Sequence, residues 1–208
     1  MIQSIHFILK KIYPNFVWEL PNDQKKVYLT FDDGPIPEVT EWVLEVLKKH
    51  NTKATFFCIG ENVQKYPQVF QKIQKDGHAI GNHSFNHLNG WKTTLENYLE
   101  NVDLCKQELE IHSCSTQLFR PPYGKIKRVQ AKKIKQLGYQ IVMWDIISKD
   151  YDKNISKEMC VANVLKAIQP GSIVVMHDSL KAFSNLEHAL PIILKKGSEK
   201  GFTFEKLS

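Results

Sequence analysis

The fold of this chain is decided by one stretch, Val27-Tyr28-Leu29-Thr30-Phe31-Asp32-Asp33-Gly34-Pro35. Residues 27–31 are apolar, aromatic or β-branched, as strands favour, whereas Asp, Gly and Pro are depleted from strands. The stretch therefore predicts a buried strand that ends in two adjacent carboxylates. In a strand-like backbone the side chains of Asp32 and Asp33 point to opposite sides, so one carboxylate is free to bind a metal and the other to move a proton. The alternative at this point is an Asp-Gly-Pro turn with solvated acids.

Strand-like and helix-like segments alternate along the rest of the chain. Apolar runs predict strands at 27–31, 54–59, 78–81, 117–119, 139–144, 173–176 and 202–207. Residues with helical spacing lie between these runs, including a single helix around Val63–Ile73 and another that begins at a capping box of Thr93 and Glu96. Short buried strands separated by helices indicate a parallel sheet.

Polar residues follow the ends of these predicted strands. They are Asp32 and Asp33, His83 and His87, Arg120, Asp145 and Asp150, and His177. In a parallel barrel the carboxyl ends of the strands form the face that carries the chemistry. We therefore expect these side chains to share one site.

The pair His83 and His87 has a spacing that suits metal binding. Residues four apart face the same way in a helical or tight-turn conformation. With the Asp33 carboxylate they provide two imidazoles and one carboxylate, and a catalytic zinc site typically has three protein ligands plus water. The alternative is a pair of unrelated surface histidines.

Four motifs in this order resemble those of the polysaccharide deacetylases, carbohydrate esterase family 4 or the NodB-homology domain. They are Thr30-Phe31-Asp32-Asp33-Gly34-Pro35, His83-Ser84-Phe85-Asn86-His87, Arg120-Pro121-Pro122-Tyr123-Gly124 and the strand that ends at His177-Asp178. The resemblance covers about residues 25–207. It implies an α/β fold, a distorted (β/α)7 TIM-like barrel with parallel strands. We expect a catalytic domain over residues 25–208, preceded by a lead-in of residues 1–24 packed against its outside.

The resemblance also implies an activity and a role for each motif. The expected reaction is metal-dependent removal of N-acetyl groups from a polysaccharide that contains N-acetylglucosamine, of the peptidoglycan or chitin type. Asp32 would be the general base, His177 the general acid, and Arg120 would hold Asp32 in place. The implied ligands of a divalent metal, Zn²⁺ or alternatively Co²⁺, are Asp33, His83 and His87.

Candidate substrate contacts lie in and around the same motifs. The resemblance assigns the oxyanion to the backbone N–H of Tyr123, within the Pro122–Tyr123 turn. Val175 would contribute to the apolar lining for the acetyl methyl group. The rings of Trp91 and Tyr123 are candidates for stacking on a sugar, whereas Trp144 is expected in the core.

The sequence departs from the family pattern after the fifth predicted strand. The family usually carries Asp-x-x-Asp followed by an aromatic residue, and the first Asp supports the catalytic His. Aligning Asp150-Tyr151 with the end of that pattern puts Ile147 at the supporting position. Asp145 shares a face with Ile147 on an extended strand, so we predict that Asp145 supports His177, with Asp150 as the alternative.

Several other functions stay open at this stage. An acetyl-xylan or other O-acetyl esterase would use the same metal chemistry. A glycan-binding homologue with weakened catalysis is motivated by Ile147, which would leave His177 unsupported. A third possibility is a basic protein that binds anions without catalysis.

The composition indicates which partners the chain could attract and which kind of metal site it lacks. The 208 residues include 28 basic and 22 acidic side chains, a net charge of +6 that would attract anionic polymers. The basic run Lys125–Lys135 fits a solvated helix face or an approach for an anionic glycan. No nucleic-acid-binding motif is present, so nucleic acid is not expected as a partner. The 4 cysteines lack C-x-x-C spacing, which argues against a zinc–thiolate site.

The N-terminal segment gives an expectation about location. The apolar residues at 5–9 are interrupted by Lys10-Lys11, which is too short for a signal-peptide core or a membrane span. The missing export signal by itself indicates the cytoplasm, whereas the substrates of the resembling family are mostly extracytoplasmic, so the location stays open.

Overall fold

The computed structural model describes residues 10–208, so residues 1–9 of the predicted lead-in lie outside the described part. The strands are β1 Lys26–Asp32, β2 Thr55–Cys58, β3 Ala79–Asn82, β4 Leu118–Phe119, β5 Gln140–Ile141, β6 Ile146–Ile147, β7 Ile173–His177 and β8 Thr203–Glu205. The α-helices are α1 Val39–Lys49, α2 Gly60–Lys65, α3 Pro67–Lys75, α4 Leu95–Ile111, α5 Arg128–Gln136, α6 Lys157–Leu165 and α7 Phe183–Glu199. Short 3₁₀ turns cover Gly90–Lys92 and Pro122–Gly124.

The strands form one parallel sheet in the order β5-β4-β3-β2-β1-β7-β6. The last strand, β8, pairs with the first half of β1. The sheet curls into a distorted barrel with helices outside it, which confirms the fold predicted from the sequence. Within residues 10–208, no helix combines the length and the apolar character needed to cross a bilayer.

The segment around Val17 links the β5 edge of the sheet to the start of β7. Val17 forms a parallel bridge with Val142 beside β5, and Glu19 forms an antiparallel bridge with Ser172 beside β7. Trp18 is buried between them. Residues 17–19 of the predicted lead-in therefore join the sheet and do not pack on the outside of the domain, and the predicted boundary at residue 24 does not separate them from the fold.

The alternation of β1 divides the core into an outer and an inner layer. Val27, Leu29 and Phe31 are fully buried in the apolar cluster that joins the sheet to the helices. Tyr28 packs against a smaller cluster built from other strands. Because side chains alternate along a strand, Asp32 shares the inner face with Tyr28 and Thr30.

Three predicted boundaries differ from the structure for local reasons. The helix predicted around Val63–Ile73 is split into α2 and α3, because Pro67 starts a new helix at its first position. The N-cap of α4 is Thr94, whose hydroxyl accepts from the Asn97 N–H, whereas Thr93 bonds back to the Asn89 carbonyl. The strand predicted at 139–144 is reduced to β5, and the extra strand β6 follows it.

Candidate active site

Two of the candidate functional residues are neighbours across the sheet. Asp32 ends β1 and His177 ends β7, and the register of the two strands pairs them directly. Adjacent strands lie about 4.8 Å apart and paired residues face the same side, so both side chains point into the barrel mouth. This register brings the two proposed proton-transfer groups together although they lie 145 positions apart in the sequence.

Arg120 fixes the Asp32 carboxylate from inside the barrel. Its guanidinium is fully buried and donates to Asp32 Oδ1 at 2.7 Å and to Thr30 Oγ1 at 2.7 Å. The remaining donors bond the carbonyls of Val142 and Met143 at 3.3 and 2.8 Å. All these acceptors are held by the sheet, so Asp32 has one oxygen committed to Arg120 and the other, Oδ2, facing the site.

The charge of Asp32 follows from this pairing. Burial alone would raise the pKa of its carboxyl, but Arg120, together with His83 and His177, brings that pKa below its ordinary value. Asp32 is therefore ionised at neutral pH and able to accept a proton.

Asp33, His83 and His87 form a compact set of metal-type ligands. One potential ligand atom from each lies within 4.8 Å of the others. Asp33 Oδ1 is 3.4 Å from His87 Nε2 and 3.9 Å from His83 Nε2. His83 Nδ1 is 2.8 Å from the Arg120 carbonyl, which only accepts, so Nδ1 carries the proton and Nε2 keeps its lone pair.

The protonation of the two imidazoles also fits a metal site. Burial lowers the pKa of His83, and burial with the neighbouring His83 lowers the pKa of His87 to about 4. Both rings are neutral at pH 7, as metal ligands must be. One carboxylate and two neutral imidazoles are a donor set of the kind that catalytic zinc sites use. The residues present therefore fit a divalent ion.

Buried amides hold the segment between the two histidines. Asn82 Oδ1 accepts from the Ser84 N–H at 2.8 Å. Asn101 Oδ1, from α4, accepts from the N–H groups of Phe85 and Asn86, both at 2.9 Å. Asn101 is a supporting residue that the sequence did not reveal, since a single Asn on a helix belongs to no motif.

The backbone around the site is strained at several non-glycine residues. Asp33, Ser84, His87 and Tyr123 have φ angles of 87°, 61°, 56° and 60°. Positive φ costs free energy in such residues and persists only where the surroundings impose it. At Asp33 the unusual backbone turns the carboxylate, expected on the opposite side from Asp32, towards the two histidines.

The residue that supports His177 is Asp150, not Asp145. Asp150 Oδ1 lies 2.8 Å from His177 Nδ1, and its Oδ2 accepts from the His177 backbone N–H at 2.7 Å. Asp145 instead accepts from the Ser172 hydroxyl at 2.8 Å and the Ile173 N–H at 2.6 Å. The prediction of Asp145 was therefore wrong, because its carboxylate joins the strand edge beside β7 and lies away from the site.

The proton on His177 is stabilised by this contact. Burial by itself would lower the pKa of the imidazole, but the Asp150 carboxylate, aided by Asp33 and Asp32, raises it to about 9. With Nδ1 bonded to Asp150, the Nε2–H is the group that His177 can offer to a substrate.

The functional side chains line one cavity of about 540 Å³. Its walls are Asp32, Asp33, His83, His87, Tyr123, Lys125, Trp144, Ile147, Tyr151, His177, Ser179 and Lys181. Trp144, expected in the core, thus faces the site. Ile147 does not displace a catalytic support and forms part of the apolar wall.

The other predicted substrate contacts lie in different places. The Tyr123 ring is 59% exposed and packs 4.4 Å from the His87 ring, centroid to centroid. Val175 and Pro122 are buried and are not part of the cavity wall. Trp91 lies outside the wall as well, with its indole N–H donating to the Ile126 carbonyl at 3.3 Å.

Gly34 brings β1 and β7 together behind the ligands. Asp178, next to His177, accepts from the Gly34 N–H at 3.0 Å and from the Thr40 hydroxyl at 2.6 Å. A Cβ on Gly34 would lie 2.0 Å from Asp178 Oδ2. The site needs glycine here because the Asp178 carboxylate occupies the space of a side chain.

Gly34→Ala is therefore expected to lower the free energy of unfolding by about 1–3 kcal/mol, because the new methyl group overlaps a buried carboxylate. Urea-induced unfolding measures the change. The double variant Gly34→Ala/Asp178→Ala should lose less than the sum of the two single variants, since the collision is then gone. Strict additivity would contradict this account.

Sequence comparisons relate the chain to known proteins. The family model described as polysaccharide deacetylase matches residues 19–142. A peptidoglycan-N-acetylglucosamine deacetylase of Bacillus cereus is 37% identical over 192 residues, which cover 92% of this chain and 90% of that protein.

Solved structures show the same architecture. The Bc1960 peptidoglycan N-acetylglucosamine deacetylase matches with a TM-score of 0.89 and 32% identity, covering 95% of this chain and 94% of that chain. BA3943, a CE4 family pseudoenzyme from Bacillus anthracis, matches with a TM-score of 0.85 and 26% identity. The match covers 93% of this chain and 68% of that chain. The same architecture therefore occurs in a deacetylase and in a pseudoenzyme. Whether catalytic activity is expected depends on the side chains of the site, not on the fold.

Proposed function

This chain belongs to the polysaccharide deacetylase family, and from that premise we propose that it removes the acetyl group from N-acetylglucosamine residues of peptidoglycan. The observation that carries the proposal is the joint placement of a base, an acid and a metal-type ligand set around one cavity. Peptidoglycan is chosen because the relative that is 37% identical over 92% of this chain and the solved structure with a TM-score of 0.89 are both peptidoglycan N-acetylglucosamine deacetylases.

Asp32 acts as the general base in this proposal. Its Oδ1 is bonded to Arg120, so Oδ2 is the atom that takes a proton from the attacking water. The low pKa of Asp32 keeps it ionised in the resting enzyme. Arg120 is a positioning residue, since it holds the carboxylate without facing the cavity.

His177 acts as the general acid. As the carbon–nitrogen bond of the acetamide breaks, its Nε2–H passes to the departing amine, which leaves as the free amino sugar. Acetate is the other product, with the oxygen of the water in its new carboxylate. Asp150 holds the imidazole by its Nδ1 and stabilises the charged form before the transfer.

Asp33, His83 and His87 would hold the divalent ion, for which we propose Zn²⁺. The chemistry that such an ion supplies is polarisation of the acetyl carbonyl and a lower pKa for a bound water molecule. The backbone N–H of Tyr123 is proposed to bind the oxyanion. The left-handed backbone of that residue, with φ 60°, sets the direction of the N–H.

The alternative hypothesis, a glycan-binding homologue with weakened catalysis, is no longer supported by the observation that suggested it. It rested on the absence of a carboxylate at Ile147, and Asp150 supplies that carboxylate from elsewhere. No feature of the site favours the O-acetyl esterase over the N-deacetylase. Acetate release from peptidoglycan, chitin oligomers and acetylated xylan, with the metal removed and then restored, tests the proposal. Release from none of them in the zinc-loaded protein would overturn it.

The purified protein is expected to hold about one zinc ion per chain, and His87→Ala is expected to lose it, because a site with two protein ligands competes poorly with water. Elemental analysis after dialysis measures the content. His50→Ala is the matched control, since His50 is exposed at the end of α1, away from the cavity. Full metal content in His87→Ala would rule out this ligand set.

A further inference from the structure

Two lysines lie on the wall of the catalytic cavity. Lys125 and Lys181 line it together with the proposed catalytic groups. Lys125 comes after β4 and the Pro122–Gly124 turn, whereas Lys181 comes after β7. In the sheet order β4 and β7 lie on opposite sides of β1. The cavity therefore has a cation on each of two flanks of the Asp32 carboxylate.

The first flank runs from a metal-type ligand to Lys125. The His87 ring packs 4.4 Å from the Tyr123 ring, centroid to centroid. Lys125 Nζ lies 5.9 Å from the Tyr123 ring centroid and 5.4 Å from that of Trp91. Two aromatic faces thus fix the position of this ammonium group next to the ligand set.

The second flank repeats the arrangement on the side of the general acid. Tyr151 meets the His177 ring edge-on, with centroids 5.0 Å apart. Lys181 Nζ lies 5.5 Å from the centroid of the Tyr151 ring. Each flank is therefore a histidine of the site, then a tyrosine, then a lysine.

Neither ammonium group has an anionic partner in the described part of the chain. Over residues 10–208, no carboxylate oxygen lies within 4.0 Å of Lys125 Nζ or Lys181 Nζ. Their contacts are with aromatic rings, which attract a cation without neutralising its charge. Both charges thus remain available to an anion that enters the cavity.

We propose that Lys125 and Lys181 bind carboxylates on the polymer units that flank the reacting N-acetylglucosamine, and so select an anionic glycan over a neutral one. This inference rests on the proposed function and deepens it. In peptidoglycan each N-acetylglucosamine lies between N-acetylmuramic acid units, whose lactyl carboxyl is free or extended by a peptide with its own carboxylates. In chitin all neighbouring units are neutral.

The two flanks match the two neighbours of the reacting sugar. A glycan chain that crosses the cavity places one neighbour towards the Tyr123 side and the other towards the Tyr151 side. Each exposed carboxylate–ammonium contact contributes up to about 1 kcal/mol, or roughly a 5-fold gain in binding. The selectivity arises only for substrates with charge beside the acetamido sugar.

The test compares kcat/KM on three substrates of equal length: a peptide-free peptidoglycan glycan, the same glycan with its peptides, and a chitooligosaccharide. The measured quantity is the ratio of kcat/KM for an anionic substrate to that for the neutral one. Lys125→Gln and Lys181→Gln should each lower the ratio about 5-fold, and the double variant about 25-fold. Added salt should lower the wild-type ratio in the same direction.

The matched control is Lys132→Gln. Lys132 is also basic, but it lines a separate groove with Tyr13 and Phe16. The ratio of kcat/KM values should stay at the wild-type value in Lys132→Gln. That result separates a local contact from a general effect of net charge. Lys125→Glu and Lys181→Glu form a second set, in which the reversed charge should lower the ratio further than Gln does.

The outcomes separate the carboxylate sources and the two proposals. A reduced ratio on the peptide-free glycan supports contact with lactyl carboxylates, and a reduction confined to the peptide-bearing glycan supports contact with peptide carboxylates. A wild-type ratio in the double variant overturns this inference, while acetate release by the wild type leaves the proposed function standing. Failure of the zinc-loaded wild type on every substrate overturns both.

Discussion

Asp32→Asn is expected to lower kcat/KM by about 10²–10⁴-fold while the protein keeps its metal. The amide preserves the shape of the side chain and leaves a carbonyl oxygen for Arg120, which donates to Oδ1 at 2.7 Å in the wild type. The atom at the position of Oδ2 becomes an NH₂ group, which cannot accept a proton from water. The variant therefore loses the base and retains the binding surface. Acetate release measured alongside metal content distinguishes the two effects.

The matched comparison is the neighbouring carboxylate. Asp33→Asn should lose the metal, because Asp33 Oδ1 is the oxygen that lies 3.4 Å from His87 Nε2. Both variants remove one charge from adjacent positions at the end of β1, so any general electrostatic effect is shared. Metal loss in Asp32→Asn with retention in Asp33→Asn would mean that the two roles are exchanged.

Stability has to be followed in the same experiment. Asp32 is the only carboxylate paired with the buried Arg120 among the described residues, and removing one partner of a buried pair typically costs about 3–5 kcal/mol. The retained acceptor in Asn offsets part of that cost. Circular dichroism at the assay temperature therefore accompanies the kinetics, and rates are compared only for folded protein.

The central strands were predictable because most of their residues are apolar or β-branched side chains that become buried. β1 and β7 are short apolar runs, and the polar residues that follow them, Asp32 and His177, have to lie at the strand ends. In the structure, the register of the two strands pairs these residues directly. Local sequence therefore located the face of the site and its proposed acid and base.

The support of His177 was not predictable from spacing. An extended strand through Asp145 and Ile147 would place both side chains on one face. The chain instead pairs only Ile146 and Ile147 with β7 and then turns at Lys149, whose φ is 62°. That turn brings Asp150 back to His177. A positive φ at a lysine has no clear signature in a single sequence, so the direction of the loop is set by tertiary packing.

The lead-in escaped prediction for a similar reason. Val17 donates its N–H to the Ile141 carbonyl and accepts from the Met143 N–H, so it is bonded like a strand residue. A stretch this short has too few residues to show alternation, and its partners are more than 120 positions away in the sequence. Linking the β5 edge of the sheet to the start of β7 is a property of the whole sheet, not of the segment itself.

Asp150→Asn is the second variant with a large expected effect. Because Asp150 supports His177, the variant should lose activity and show a shifted pH profile. A general acid works only while it is protonated, so the alkaline limb of kcat/KM reports the loss of the His177 proton. The Asp150 carboxylate is the largest influence that raises the pKa of His177, to about 9, against the effect of burial. Without that charge the pKa falls, and the alkaline limb moves to lower pH. A bound dication would lower this pKa in both proteins and leaves the direction of the change the same.

Asp145→Asn is the matched control, because both residues are aspartates that follow β5 and each accepts a backbone N–H. Asp150→Asn should cut kcat/KM by about 10–100-fold at neutral pH, the size of effect that loss of a residue orienting a histidine has at metal sites. Asp145→Asn should lower stability by about 1–3 kcal/mol through its contacts with Ser172 and Ile173, and should leave the alkaline limb in place. A shift of the limb in Asp145→Asn but not in Asp150→Asn would reverse the assignment. Because Asp150 lies 2.8 Å from His177 Nδ1, we expect the alkaline limb to shift in Asp150→Asn and to stay in place in Asp145→Asn.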